Sequence, residues 1–351
     1  MSASIIQPNW KECLLPKNST LKEVIANLEK TGLKISLIID RNEALIGVIT
    51  DGDIRRSLIK HKSLEIDALK IMNKNFRSAH KDDKKKFIEA ELKQYDIQQI
   101  PIIDDENRVV GLRSFSTNIE VKKLPNTLVI MAGGFGKRLK PYTDSVPKPM
   151  VLIDGKPILE HIIDNAKLYG FHKFKICIFH LGEIIKDYFG NGSNHNIQID
   201  YIEEDEPLGT GGALSLIDKV NEPFIVTNGD VITDIEYSKL LRYHKKNKAV
   251  ATMAVKRHEI KNPFGVVNLN SNGSIVGFDE KPSYVSYVNA GVYAFNPEVL
   301  DLLTKNERIN TPDIFLRLIS QNFKAIAFPV HQQWVDIGTP EVLKAIKKND
   351  K

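Results

Sequence analysis

An apolar strand pattern, Leu128-Val129-Ile130-Met131-Ala132, breaks directly onto Gly133, Gly134 and Gly136. Glycines in that position let backbone N–H groups face outward and let an anion approach closely. Arg138 and Lys148 bring fixed cations to the same place, and Lys148 is held stiffly between Pro147 and Pro149. A glycine turn with backbone donors and cations reads as a polyphosphate site. It is not a Walker A loop, because no Gly-Lys-Ser/Thr closes it. Nor is it a dinucleotide fingerprint, because Leu139 stands where the third glycine belongs. The alternative is a tight strand-to-helix turn with surface cations. Strands expected at 128–132, 174–179, 197–202, 223–227 and 249–255 alternate with helices at 157–169, 182–189, 211–218 and 236–246. Such alternation predicts an α/β domain with a mainly parallel sheet. Ligands of these sheets sit beyond the carboxyl ends of the strands, where the glycine turn lies.

The N-terminal third is a duplication. Helix 21–30, strand 35–39, a turn at Asp40-Arg41-Asn42, strand 45–50 and helix 51–60 form one unit. Helix 84–94, strand 99–103, a turn over 104–107, strand 109–113 and then 114–117 form the second. The strand-turn-strand segments match residue for residue in pattern, which is the mark of an internal repeat with a period near sixty residues. Residues 121–126 read as a short linker. The expected domains are therefore 1–123 (about 1–66 and 67–123) and 124–351.

Two carboxylates end apolar runs. Asp230 closes Phe224-Ile225-Val226-Thr227-Asn228-Gly229-Asp230, and Asp336 closes Gln333-Trp334-Val335-Asp336. Each alone suits a helix cap or turn. Together, in a chain with a phosphate loop, they are candidate ligands for a hard cation such as Mg²⁺. The 9 histidines form no spaced pair or Cys/His set, which argues against zinc.

The second part of the chain resembles the sugar-1-phosphate nucleotidyltransferases, or nucleotide-sugar pyrophosphorylases, over about residues 125–345. Gly134-Phe135-Gly136-Lys137-Arg138-Leu139 with Pro147-Lys148-Pro149 is similar to their G-x-G-x-R-L…P-K-P signature. Lys137 departs from it, replacing Thr or Ser. The resemblance implies a Rossmann-like nucleotidyltransferase fold, with nucleotide bound by Ala132, Gly133, Gly134, Gly136, Lys137, Glu204, Gly209 and Thr210. It gives catalytic roles to Arg138, Lys148, Asp230 and Asp336, the two aspartates as Mg²⁺ ligands. Leu208-Gly209-Thr210-Gly211-Gly212 is similar to a family segment that packs against the base, with Gly211 in place of Ala. Phe264-Gly265-Val266, Asp279-Glu280-Lys281-Pro282 and Val288-Asn289-Ala290-Gly291-Val292 match sugar-side motifs. They imply sugar-phosphate roles for Gly265, Glu280, Lys281, Asn289 and Gly291. Guanine presents two adjacent donors, N1–H and N2–H₂, which a carboxylate accepts, whereas uracil or thymine better suits an amide. Glu204 therefore favours GTP; the alternative is a solvated acidic run over 203–206.

The N-terminal third resembles a tandem CBS pair, or Bateman module, through Gly47-Val48-Ile49-Thr50-Asp51-Gly52-Asp53. The resemblance implies that Thr50 contacts a phosphate and Asp53 a ribose. The competing reading makes Thr50 a helix N-cap and Asp53 its capping-box partner. The second copy carries Thr117 where the aspartate belongs, so one well-formed site for a regulatory purine nucleotide is expected.

The 351 residues, 42% hydrophobic and 26% charged, suit a globular protein of two or three domains. A net charge of +5 suits anionic metabolites and is too small to point to nucleic acid. The basic clusters at 84–86, 245–246 and 347–348 are short and dispersed. The 2 cysteines cannot make a disulfide framework, and Cys177, inside an apolar run, is expected to be a buried thiol. No signal peptide or membrane span is evident, so a cytoplasmic homo-oligomeric enzyme fits. Within the family, the resemblance is to CBS-fused guanylyltransferases that make GDP-glucosamine for nonulosonate synthesis, with mannose- and heptose-1-phosphate guanylyltransferases nearby. NTP and a sugar 1-phosphate would give a nucleotide sugar and pyrophosphate. The competing function is a nucleotide-sensing regulatory subunit with a silent transferase domain.

Overall fold

The computed structural model describes residues 4–61, 63–95, 97–115, 123–218 and 220–348. The chain divides into two compact units, Met1–Glu120 and Val121–Lys351. Thr117 and the start of the expected linker lie outside the described residues.

The first unit repeats its topology. Leu14–Pro16 runs parallel to Ile35–Ile39, which turns back on Leu45–Thr50. Ala79–His80 runs parallel to Gln99–Ile103, which turns back on Val109–Phe115. The turns show why the repeat folds twice the same way. Asp40 Oδ1 accepts the N–H groups of Asn42 and Ala44 at 2.8 and 3.0 Å. Asp104 Oδ1 accepts those of Glu106 and Arg108 at 3.0 and 2.8 Å. Each turn then passes through a left-handed residue, Glu43 (φ 62°) or Asn107 (φ 59°), and the register slips at Ile38/Ile39 and at Ile102/Ile103. This is a three-residue hairpin loop closed by a bulge, set by an Asp that satisfies its own turn. The two hairpins also share a core: Leu37, Val48, Val109 and Leu112 belong to one buried cluster. The helix expected from residue 21 is Leu21–Thr31, and it buries Leu21, Val24 and Leu28 against Ile38 and Ile49.

The second unit is built on a seven-stranded sheet. Its order is Gln198–Glu203, Lys173–Ile178, Thr127–Met131, Phe224–Asn228, Ser283–Phe295, Ala251–Lys261, Ala325–Val330. Only Ser283–Phe295 runs against the others, so the sheet is mixed and mainly parallel. Helices Ile158–Leu168, Gly182–Phe189 and Tyr237–Lys246 stand where alternation placed them. The helix expected over 211–218 does not form. A four-residue turn, Gly209–Gly212, gives way to a 3₁₀ turn, Ala213–Leu216. Three glycines in four residues lose too much backbone freedom to hold a longer α-helix. Cys177 is fully buried in the sheet, and burial pushes its thiol well up. Among the described residues no helix is long and apolar enough to cross a membrane.

Candidate active site

The glycine turn leaves the carboxyl end of Thr127–Met131, in the middle of the parallel strands. Gly136 takes a left-handed φ of 63°, and the chain continues into a 3₁₀ turn, Lys137–Leu139. Leu139 is fully buried and anchors that turn in the core, which leaves Lys137 and Arg138 at its outer side. A Cβ on Gly136 would meet Lys148 Cβ at 3.2 Å, so the glycine admits the close passage of the lysine segment. Lys148 opens a buried 3₁₀ turn, Lys148–Met150, and its ammonium pairs with Asp230 Oδ2.

Asp230 follows the next strand, Phe224–Asn228, and Gly229 N–H donates to Met131 O at 2.9 Å, tying the two strand ends together. Asp336 ends Trp334–Asp336, which pairs with Val231–Thr233 so that Val231 faces Asp336. Ile337 N–H donates to Asp230 O at 3.0 Å. A Cβ on Gly338 would lie 3.4 Å from Asp336 Oδ1 and 3.7 Å from Arg138 Nη1, so the cation and the carboxylate both border this glycine. Partial burial, then the charge of Asp230, raise the Asp336 carboxyl above its ordinary range, with Lys148 and Arg138 opposing. Lys148, Arg138, Asp230 and Asp336, scattered over about two hundred residues, thus share one electrostatic site.

No group of three or more His, Cys, Asp and Glu converges among the described residues. Two carboxylates do, and a pair of hard oxygen donors fits Mg²⁺, which keeps waters and takes phosphate oxygens for its remaining positions.

Gly133, Gly134, Lys148, Glu204, Gly209, Thr210 and Asp230 line a single cleft beside this site. Glu204 is buried, not solvated with its acidic neighbours. Its Oε2 accepts the Leu208 N–H at 2.9 Å. A Cβ on Gly133 would meet its Oε1 at 2.5 Å, so the glycine leaves room for the carboxylate where it sits. Burial raises the Glu204 carboxyl, partly offset by the Leu208 N–H.

The sugar-side residues do not line that cleft. Asn289 Nδ2 donates to Tyr293 Oη at 2.7 Å, and its Oδ1 accepts the Gly291 N–H at 2.9 Å. Gly291 is left-handed at φ 69° and leaves room for the Asn228 amide. Glu280 and Lys281 are strongly exposed, beside the outer hairpin of Val266–Leu269 and Ile275–Asp279, with Gly265 next to Glu280. In the first unit, Asp53 Oδ2 accepts both the N–H and the hydroxyl of Thr50, at 2.9 and 2.7 Å, and its Oδ1 pairs with Arg56. The capping arrangement is therefore what these residues adopt here.

Sequence reasoning missed Asn228 and Phe135, which also line the cleft. Asn228 stands two residues before Asp230, and its Oδ1 has no hydrogen-bond partner among the described residues. Phe135 packs edge-on to Phe179 at 5.6 Å, with Lys137 Nζ 5.3 Å over its face. An aromatic between two glycines was a visible signal for the latter.

The family described as Nucleotidyl transferase matches residues 127–351, and the CBS domain family matches residues 11–60. The chain is 31% identical over 240 residues to a UTP–glucose-1-phosphate uridylyltransferase of Synechocystis, covering 62% of each chain. It is 34% identical over 220 residues to the mannose-1-phosphate guanylyltransferase catalytic subunit beta of Drosophila melanogaster, covering 61% of this chain and 59% of that one. Identity to a mannose-1-phosphate guanylyltransferase of Mycobacterium tuberculosis is 32% over 219 residues, 61% of each. The chain thus spans about three fifths of the length of the curated relatives it matches.

Proposed function

This chain belongs to the nucleotidyl transferase family and carries an N-terminal CBS domain, and from that premise we propose that it transfers a nucleoside monophosphate from an NTP to a sugar 1-phosphate. The observation that carries the reading is the meeting of a glycine turn, two cations and two carboxylates at the carboxyl ends of parallel strands. An oxygen of the sugar phosphate forms a bond to the α-phosphorus, and the bond to pyrophosphate breaks. No general base is needed, because a phosphomonoester with a second pKa of about 6 is already mostly a dianion at neutral pH. The work left to the protein is to hold two anions together and to offset developing charge. Backbone N–H groups of Gly133, Gly134 and Gly136, with Lys137 and Arg138, receive the NTP phosphates. Lys148 reaches the reacting phosphates, its charge balanced by Asp230 until they arrive. Lys281, on the exposed arm, takes the sugar phosphate. Asp230 and Asp336 would hold Mg²⁺, whose charge offsets that of the nucleotide phosphates.

Glu204 supports GTP as the nucleotide. A buried carboxylate with one oxygen on Leu208 N–H and the other turned to Gly133 can accept the paired donors of guanine. Glucosamine 1-phosphate is the sugar we favour, from the likeness to CBS-fused guanylyltransferases. Pyrophosphate release by the full-length protein with Mg²⁺, across a panel of NTPs and sugar 1-phosphates, tests the proposal. Release with GTP above UTP and dTTP supports it. Nucleotide binding without release from any pair would overturn it in favour of a silent sensing domain.

A further inference from the structure

The glycines of Leu208-Gly209-Thr210-Gly211-Gly212 face a second strip of chain, residues 307–311. A Cβ on Gly209, itself left-handed at φ 84°, would meet Ile309 O at 2.8 Å. One on Gly211 would meet Thr311 N at 3.0 Å, and one on Gly212 would overlap Glu307 O. What lies against them is mostly backbone, so the strip is the reason for those glycines.

Hydrogen bonds zip the two segments together. Ile309 N–H donates to Leu208 O at 2.9 Å, and Gly211 N–H donates to Ile309 O at 3.0 Å. Thr210 is held three times: its N–H donates to Asn310 Oδ1 at 3.3 Å, its Oγ1 accepts the Thr311 N–H at 3.1 Å, and its carbonyl accepts the Thr311 hydroxyl at 2.7 Å. Thr311 is fully buried, whereas Thr210 is exposed at the cleft. The strip is braced in turn. Arg317, on helix Thr311–Ser320, donates to Glu307 Oε2 and to Leu302 O, each at 3.0 Å.

This bonding fixes what Thr210 can offer. With its oxygen already accepting from Thr311, its hydroxyl proton is left to donate. Its backbone cannot rotate, because N–H and C=O are both engaged. A loop of three glycines has no stiffness of its own. Its position in the cleft must be imposed from behind.

We infer that Thr311, with Asn310, is a positioning residue for nucleotide binding: it holds Thr210 and the glycine loop in the cleft without touching the nucleotide. The inference rests on the nucleotidyltransferase reading above, in that the cleft takes the NTP. It adds a determinant of affinity about a hundred residues away in sequence from the loop that it serves.

The test measures binding of GTP and UTP to the full-length chain by calorimetry, for wild type, Thr311→Val, Thr311→Ser and Asn310→Ala, with melting temperatures for each. Val keeps the shape and the N–H but loses the hydroxyl that holds Thr210 O and also bonds the Tyr293 hydroxyl. Nucleotide binding is expected to weaken about three- to tenfold in Thr311→Val, the worth of one hydrogen bond. Thr311→Ser should restore it. In pyrophosphate-release kinetics, KM for the NTP should rise more than KM for the sugar 1-phosphate, because Thr311 reaches the sugar side only through Tyr293 and Asn289, and general destabilisation would not produce that split. Asn310→Ala provides the same reading should Thr311→Val fail to fold. Nucleotide affinity unchanged within twofold in a folded variant overturns the inference, as does equal loss toward both substrates. Wild type that binds no nucleotide overturns it together with the reading beneath it. Wild type that binds nucleotide but releases no pyrophosphate sinks only the transfer reaction, and the variants still decide the inference by affinity.

Discussion

Single residues at the cleft carry opposing demands. Asp230 and Asp336 are close enough that each charge penalises the other, and Lys148 and Arg138 relieve part of that penalty. On the proposed reading, removing either carboxylate takes away an anchor at the reacting phosphates. Asp230→Asn and Asp336→Asn should each lower kcat by at least ~100-fold. Near wild-type turnover at saturating Mg²⁺ in either variant would mean that its carboxylate is no ligand. Glu204 permits a sharper separation of function from stability. Its folded-state carboxyl is raised by burial, so the ionised form is the disfavoured one in the native protein. That penalty is present above the folded pKa and fades as pH falls through it toward the unfolded value. Glu204→Gln should therefore raise the melting temperature near pH 7, with the gain shrinking on acidification. The same change should weaken GTP use by ~1–3 kcal/mol in kcat/KM, because guanine donors are left poorly paired. UTP use should fall less. Equal losses for every NTP would make Glu204 a support of the loop and no reader of the base.

At the scale of elements, what was legible followed from periodicity and turn chemistry. The hairpins of the first unit were readable because Asp40 and Asp104 each close their own turn. The parallel strands were readable as apolar runs between helical patterns. The failed helix over 211–218 shows the limit: its apolar residues suggest a helix, but Gly209, Gly211 and Gly212 answer to a partner strip that no local pattern reveals. The first two strands of the repeats, Leu14–Pro16 and Ala79–His80, were missed because short pieces owe their form to the neighbour they pair with. Helix Tyr237–Lys246 carries a comparable long-range tie. His244 is fully buried and lies between Thr252 Oγ1, 2.8 Å from Nδ1, and Asn296 Oδ1, 2.9 Å from Nε2. Asn296 Oδ1 can only accept, so the neutral ring carries its proton on Nε2 and takes one from Thr252. Burial lowers the pKa of His244 from 6.5, with the Asn296 bond opposing. The unfolded chain then binds the proton more readily, and stability is lost as pH falls below about 6.5, by up to ~1.4 kcal/mol per pH unit for one such group. Urea midpoints of wild type should fall more steeply between pH 6.5 and 5 than those of His244→Gln. Parallel slopes would show that the ring protonates without cost.

On the scale of the whole molecule, the candidate site was legible only as separate fragments, since nothing in the order of residues says that Arg138, Asp230 and Asp336 meet. The fold brings them together by ending two parallel strands of the main sheet side by side and by pairing Val231–Thr233 with Trp334–Asp336 in a separate two-stranded ribbon. All of them lie in the second unit, whose packing begins at Leu124, where the backbone N–H donates to Gly170 O at 2.8 Å. A chain starting at Leu124 should therefore keep transferase activity. The first unit, with its own shared core, should instead supply a second nucleotide site and subunit contacts, and its loss should lower the oligomeric state. Its candidate ligand groups are engaged with one another: Asp53 holds Thr50 and pairs with Arg56. A ribose at Asp53 would compete with those partners, so binding there would act on the start of helix Asp51–Lys60. That coupling gives a nucleotide a means to favour one arrangement of the module over another, which is the condition for any effect on activity. Calorimetry on full-length Asp230→Asn protein should show a purine nucleotide bound at a site that Asp53→Ala abolishes and Glu204→Gln leaves intact. If no nucleotide binds to this unit under any condition tried, the Thr50–Asp53 cap is structural, and the module serves only to assemble subunits.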